Sequence, residues 1–246
     1  MISIISGLPG SGKNVYATYL AKKHFERENN FIKRFIRKIK HQNLYINNVY
    51  SSYPILLNKR KQIYSRLVSL NDLNNNFRFE PMSIIIIDEV QSFYDSDEHK
   101  FFPKEIAVFN QFHRHFGIKD IYYISQHPSR VVKKLRNVSC QFTKIQNFFI
   151  FPLIHLGVMY FTNYYEFEDY GKWHHPSKEM KNYDVDNHFK FFFVKKIFTA
   201  YDSTYLYVLN KDKPLLLKGT YTSPFLTNSQ INSIFGDFIW SSRNKK

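Results

Sequence analysis

With 246 residues, 43% of them hydrophobic and 25 Phe and 18 Tyr in the count, the chain can bury the core of one large domain, or of one domain with a smaller appendage, which excludes an intrinsically disordered protein. Its 35 Lys and Arg against 20 Asp and Glu leave a formal charge of +15, which favours anionic partners such as nucleic acid or acidic lipid. A single cysteine, Cys140, excludes an intramolecular disulfide framework and a cysteine-built zinc site, and makes a reducing cytoplasm the default setting.

Ile2 to Ser6 is an apolar run ending at Gly7, and Val15 to Phe25 continues with helix-compatible residues, so the chain opens as strand, glycine loop and helix. No basic segment precedes this start and no signal peptide is expected. Next, "KKHFERENNFIKRFIRKIKHQ" sets Phe31, Ile32, Phe35, Ile36 and Ile39 at helical spacing among Lys33, Arg34, Arg37, Lys38 and Lys40, predicting a basic amphipathic helix. The region from Lys22 to Lys40 has three readings: a solvated helix packed on a sheet, which is the commonest arrangement, a contact for DNA phosphates, or a surface resting on anionic lipid. Leu44 to Tyr50 predicts a second strand, and Tyr64 to Leu73 a short helix.

"SIIIIDEVQSFYD" is a continuous apolar run ending in acids, the pattern of a strand buried on both faces of a parallel sheet. Glu105 to Phe116 reads as a helix, Ile121 to Ser125 as another interior strand, and Arg130 to Arg136 as a helical turn or two. This alternation predicts an α/β domain over residues 1–140. Beyond it the texture becomes aromatic and β-branched, as in "FTKIQNFFIF", "LGVMYFTNYYEF", "HFKFFFVKKIF" and "TYLYVL", so residues 141–246 are expected to be β-rich. The run "FFIFPLIHLGVMYF" contains Pro152, His155 and Gly157 and is read as buried core rather than a membrane span. Ile231, Ile234, Phe235, Phe238 and Ile239 predict a terminal amphipathic helix, with Trp240, Arg243, Lys245 and Lys246 at its end suited either to a membrane interface or to docking on the domain.

The loop "GLPGSGK" meets the Walker A pattern through Gly7, Gly12 and Lys13. Glycines let backbone N–H groups converge on phosphate oxygens, the following helix offers its positive end, and the lysine contacts the β and γ phosphates. Gly10, Ser11, Asn14 and Val15 are counted with it as nucleotide-contacting positions. About 75 residues on, Asp88 is placed to hold Mg²⁺ and Glu89 to orient or activate an attacking water, and the tandem acids favour hydrolysis over transfer to a small molecule. Gln126, after a buried strand, is expected to sense the γ-phosphate or position water. Arg114 is a candidate charge-stabilising finger toward a neighbouring subunit, with Arg130 and Arg136 as further candidates. His113, His115 and His127 lack a recognisable ligand spacing and are read as packing or hydrogen-bonding residues; Cys140 is read as a packed small hydrophobe.

Together "GLPGSGKN", "IIIIDEVQSFY" and "FHRHFGIKDIYYISQHPSRV" resemble the zonula occludens toxin (Zot) family, which includes the assembly ATPases of filamentous phages. The most specific piece is the block from His113 to Asp120, followed by Gln126 to Pro128. The resemblance implies a P-loop ATPase with a parallel central sheet related to the FtsK/HerA-like motors. It implies ATP and Mg²⁺ as cofactors and a homo-oligomeric assembly in the host cytoplasm, at the cytoplasmic face of the inner membrane. Phage coat and other assembly proteins are the implied partners, with single-stranded DNA a further one, and the implied work is extrusion of single-stranded DNA phage. By position, Gly7, Gly10, Gly12 and Lys13 bind phosphate, Asp88 and Glu89 form the Walker B pair, and Gln126 is the polar sensor.

Many relatives carry a transmembrane helix after the ATPase domain, and this chain offers no 20-residue apolar span there. Asn14 stands where Ser or Thr normally ligates Mg²⁺, although an amide carbonyl is also an oxygen ligand. A DNA-packaging or translocating motor, and a nucleotide-gated assembly scaffold with little hydrolysis, therefore stand beside the extrusion ATPase as alternatives.

Overall fold

The computed structural model describes residues 1–68, 79–92, 102–149, 156–164, 185–193, 197 and 200–201. The apolar start forms β1 (Ile2–Ser6), and the loop after it leads into α1 (Lys13–Glu28). Asn29 and Asn30 divide the basic segment, closing α1 and capping α2 (Phe31–Ile39), where the Asn30 side chain accepts the Lys33 N–H at 2.9 Å. Five short strands or strand pairs follow: β2 (Val49–Ser51), β3 (Leu56–Asn58), β4 (Ile63–Tyr64), β5 (Arg66–Leu67) and then the isoleucine run β6 (Ser83–Ile87). Helix α3 (Lys104–Phe112) precedes β7 (Ile118–Ser125), and α4 (Lys133–Val138) precedes β8 (Gln141–Phe149), β9 (Leu156–Tyr164) and β10 (Val185–Phe193).

The main sheet runs β10-β9-β8-β1-β7-β6-β2-β5. Its six strands from β8 to β5 are mutually parallel, and β9 and β10 extend it antiparallel. Residue 140 falls between α4 and β8, and the sheet is continuous across that point.

Both faces of the parallel part are covered, which explains why its strands are apolar without alternation. Ile84 and Ile86 join Val15, Ala17, Ala21 and Phe25 of α1 on one side. Ile85 and Ile87 join Ile106 and Phe109 of α3 and Leu135 of α4 on the other. Among the described residues no helix is long and apolar enough to cross a membrane.

Several expectations are corrected. The segment 44–50 is strand only from Val49, because its earlier backbone is held by asparagines rather than by a ladder: Asn29 Oδ1 accepts Ile46 N at 2.9 Å, Asn47 Nδ2 donates to Tyr64 O at 2.7 Å, and Asn48 Nδ2 to Met82 O at 3.1 Å. Tyr64 to Leu67 is not helical: Tyr64 ends β4 and Arg66–Leu67 forms β5, with Ser65 between them, whose hydroxyl accepts Ile55 N at 2.9 Å; residues 69–78 lie outside the described set. Cys140 is exposed rather than packed, its Sγ donating to Ile2 O at 3.3 Å where β8 begins. The terminal helix and "TYLYVL" lie outside the described residues.

Candidate functional site

Parallel strands aim all their carboxyl ends at one edge, and the chain's chemistry collects there. From β1 the backbone enters the loop through Gly7, whose added Cβ would sit 2.6 Å from the Ile145 carbonyl oxygen of β8 and 2.5 Å from Ser11 Oγ. Only a residue without a side chain lets the loop lie so close to the sheet. Gly10 and Gly12 take φ of 78° and 90°, the left-handed region where glycine has no steric cost.

Gly12 is also the N-cap of α1, with no side-chain cap, so the first backbone N–H groups of the helix face the loop. Ser11 Oγ is buried with no hydrogen-bond partner. Lys13, 7% exposed, donates its ammonium to Gly7 O at 2.8 Å and to Leu8 O at 3.1 Å. Burial lowers its pKa, and the Glu89 and Asp88 carboxylates raise it in opposition. An uncapped helix terminus, an orphaned buried hydroxyl and an ammonium held by the loop's own carbonyls fit a phosphate chain. Val15, the third residue of α1, is buried in the core and fixes the helix rather than facing the loop.

The Walker B acids come from the end of β6, which is separated from β1 by β7 alone. Asn14 Nδ2 donates to Asp88 Oδ2 at 2.7 Å, tying the first turn of α1 to β6 across the sheet edge. Asp88 N donates to Ser52 Oγ at 2.8 Å, and Glu89 N to Asp88 Oδ1 at 2.9 Å. Glu89 holds a positive φ of 49°, uncommon for a side-chain-bearing residue, and its carboxylate accepts from Gln91 Nε2. The oxygen donors of Asp88, Glu89 and Asn14 suit a hard cation such as Mg²⁺.

Burial raises the Asp88 carboxyl to about 6; the Asn14 hydrogen bond opposes this, Glu89 adds to it, and the Glu89 N–H and Lys13 oppose it further. A carboxyl whose folded pKa lies above its ordinary 3.8 adds stability below that value and loses it as pH rises through about 6. The Asp88 contribution to the stability of the ligand-free protein is therefore larger at pH 5 than at pH 7.5, while the lowered pKa values of His24, His113 and His127 act in the opposite sense, so it is read as the difference between wild type and Asp88→Asn. Asp88→Asn removes that contribution and raises the melting temperature at pH 7.5 by a few degrees in thermal scans. Identical melting curves for wild type and variant at both pH values would contradict this electrostatic picture.

Gln126 follows β7 directly and is half-buried; because Ser125 pairs with Ser6, it lies beside Gly7 at the same edge. Arg130 is exposed in the short turn Pro128–Arg130 beyond it. Arg114 is elsewhere: it is exposed before β7 begins, at the amino edge, and the eight residues of β7 put about 25 Å between the two ends. The fold thus does not bring Arg114 to the loop of its own chain. Its block does architectural work instead, with His113 Nδ1 against Asn110 O at 2.8 Å, Gly117 at φ 77°, and Asp120 Oδ1 accepting from the Met1 amino group at 3.2 Å.

Three site neighbours had no signal in the sequence. Ser52 is placed by β2 pairing with β6, and Gln91 by the turn after β6. Lys144 is brought beside Ser6 by β8 joining β1 in parallel, and together with Arg130 it helps lower the His127 pKa after burial has done so.

A family model described as Zonular occludens toxin (Zot) matches residues 1–204. No curated protein matches the chain in sequence. The crystal structure of the N-terminal domain of zonular occludens toxin from Neisseria meningitidis is similar in fold, with a TM-score of 0.51 at 17% identity over 82% of this chain and 98% of that one. The genome packaging NTPase of Sulfolobus turreted icosahedral virus 2, in complex with ATP-gammaS, matches at a TM-score of 0.40 and 11% identity over 76% and 96% of the two chains. The arrangement of strand, glycine loop, helix and an acid-terminated parallel strand one removed from the first is a P-loop NTPase fold.

Proposed function

The chain belongs to the zonular occludens toxin (Zot) family, and from that premise we propose that it is an ATPase whose turnover drives assembly and extrusion of filamentous single-stranded DNA phage at the host inner membrane. The observation that carries the ATPase reading is the direct Asn14 to Asp88 contact, which joins the phosphate loop and the Walker B strand into one site. The family supports the phage setting. Coat and other assembly proteins, single-stranded DNA and further copies of this chain are the partners it takes in this reading.

In the proposed mechanism the loop amides and Lys13 hold the phosphate chain and fix its register against β1. Mg²⁺, when bound, neutralises charge on the phosphate oxygens. Asp88 and the Asn14 carbonyl oxygen would hold it. Glu89 accepts the proton of the attacking water at its carboxylate, and Gln126 fixes that water from the next strand end. Arg114 can serve only the site of a neighbouring subunit.

The same contact also favours a second reading, a nucleotide-gated scaffold with little turnover, because Asn14 both replaces the usual hydroxyl and occupies Asp88. Asn14→Thr separates the two: ATP affinity stays within about threefold and hydrolysis is preserved or raised, as read by calorimetry and phosphate release. A large fall in turnover would give Asn14 a catalytic placement of its own. For the phage setting, hydrolysis is measured with single-stranded DNA and anionic vesicles, and separately with duplex DNA. Stimulation by the former supports extrusion; stimulation by duplex alone, with directional movement on it, overturns extrusion in favour of packaging.

A further inference from the structure

Helix α2 is mounted with its polar side inward. Arg37, 9% exposed, donates through Nη2 to Glu28 O at 2.7 Å and through Nη1 to Asn29 Oδ1 at 3.1 Å. Arg34 Nη1 donates to Tyr45 Oη at 2.9 Å, and Lys33 pairs with Glu28 at 2.8 Å. These bonds fix the helix to the body by its cations, and its apolar side is left facing outward.

That side carries Phe31, Ile32, Phe35, Ile36 and Ile39, which are 74%, 66%, 55%, 45% and 62% exposed, with the Phe31 and Phe35 rings stacked at 6.4 Å. At about 100° per residue these five positions share an arc of about 140°, and Lys38 and Lys40 fall on its two margins. Both lysines are exposed, and no acidic residue occurs from Phe31 to Gln42. Scattered surface hydrophobes are ordinary; five on one face of a nine-residue helix, with Lys33, Arg34 and Arg37 of that helix turned under it, are not. Of the readings open to this basic segment, a solvated helix packed on the sheet by its apolar face is excluded by the exposure of that face.

We propose that α2 is a membrane-contact helix that lies in the plane of an anionic bilayer, its apolar face among the upper acyl chains and Lys38 and Lys40 on the lipid phosphates. Charge selects this occupant. Lipid headgroups supply anions at both margins, whereas a second copy of α2 would set Lys38 and Lys40 against their own like charges. The inference deepens the membrane part of the function proposed above and rests on it for its setting, but it does not depend on nucleotide.

The test is flotation of the full chain, without nucleotide, with vesicles of phosphatidylcholine alone or mixed with phosphatidylglycerol. Binding to the mixed vesicles is expected to be tenfold or more the stronger, since about two lysines contribute. The double variant Phe31→Ser with Phe35→Ser loses most of it, and Lys38→Glu with Lys40→Glu loses the anionic preference. All four side chains are exposed, so the melting temperature and any ATP turnover are expected to be unchanged, and measuring both in parallel separates failure here from failure of the ATPase reading. As a second readout, Phe35→Trp adds emission, relative to the parent chain, that is quenched by brominated acyl chains in the mixed vesicles. Equal flotation of wild type and the Phe31/Phe35 variant, or no added quenching, overturns the proposal. So does self-association that the serine pair abolishes without any vesicle effect, which would assign the face to a second copy.

Discussion

Lys13→Ala raises the dissociation constant for ATP at least about 100-fold, because each hydrogen bond from a charged donor to phosphate contributes about 1.5–3 kcal/mol and the lysine supplies more than one. The structure holds that ammonium ready: it is buried against the loop, bonded to the Gly7 and Leu8 carbonyls at 2.8 and 3.1 Å, and close enough to Glu89 and Asp88 for both to act on its pKa. Titration calorimetry with a slowly hydrolysed ATP analogue reads the effect directly. Unchanged affinity would remove the loop from phosphate binding.

Glu89→Gln leaves ATP affinity within about threefold and lowers turnover by about 100-fold or more, the range for loss of a general base. The amide keeps an oxygen to accept from Gln91 Nε2, so the strained turn at φ 49° stays supported and the change is confined to proton acceptance. Single-turnover phosphate release separates this from a binding defect. Equal rates in the two proteins would take Glu89 out of the mechanism.

The parts of this site that could be read from sequence are those where one residue type solves one local problem. Gly7, Gly10 and Gly12 mark a backbone that no side chain could follow, and four isoleucines before Asp88 mark a strand covered on both faces. Gln126 was legible for the same reason, as a polar residue at the end of an interior strand. What escaped depends on pairing between distant strands. Ser52 reaches Asp88 only because β2 lies beside β6, and Lys144 reaches the loop's edge only because β8 adds to β1.

Arg114, read from its type as a finger toward a neighbouring subunit, lies before β7 at the amino edge of the sheet, away from the loop of its own chain. Periodicity likewise found the apolar stripe of α2 but not its direction. Spacing alone cannot tell an inward stripe from an outward one, and here the answer lay in Arg37 and Arg34 finding acceptors on Glu28, Asn29 and Tyr45. Asparagines did similar work at 46–48, where side-chain bonds displaced the strand that the residue pattern predicted.

Asn14 changes meaning once Asp88 is beside it. Its amide bridges the two motifs that a nucleotide site needs and lowers the pKa that burial raises on Asp88, so the substitution leaves a built site rather than a defective loop. Phosphate release from ATP by the full chain with Mg²⁺, using Lys13→Ala as the blank, tests this most directly. The account predicts release that saturates with ATP and exceeds the blank; wild-type release no greater than that of Lys13→Ala would contradict it.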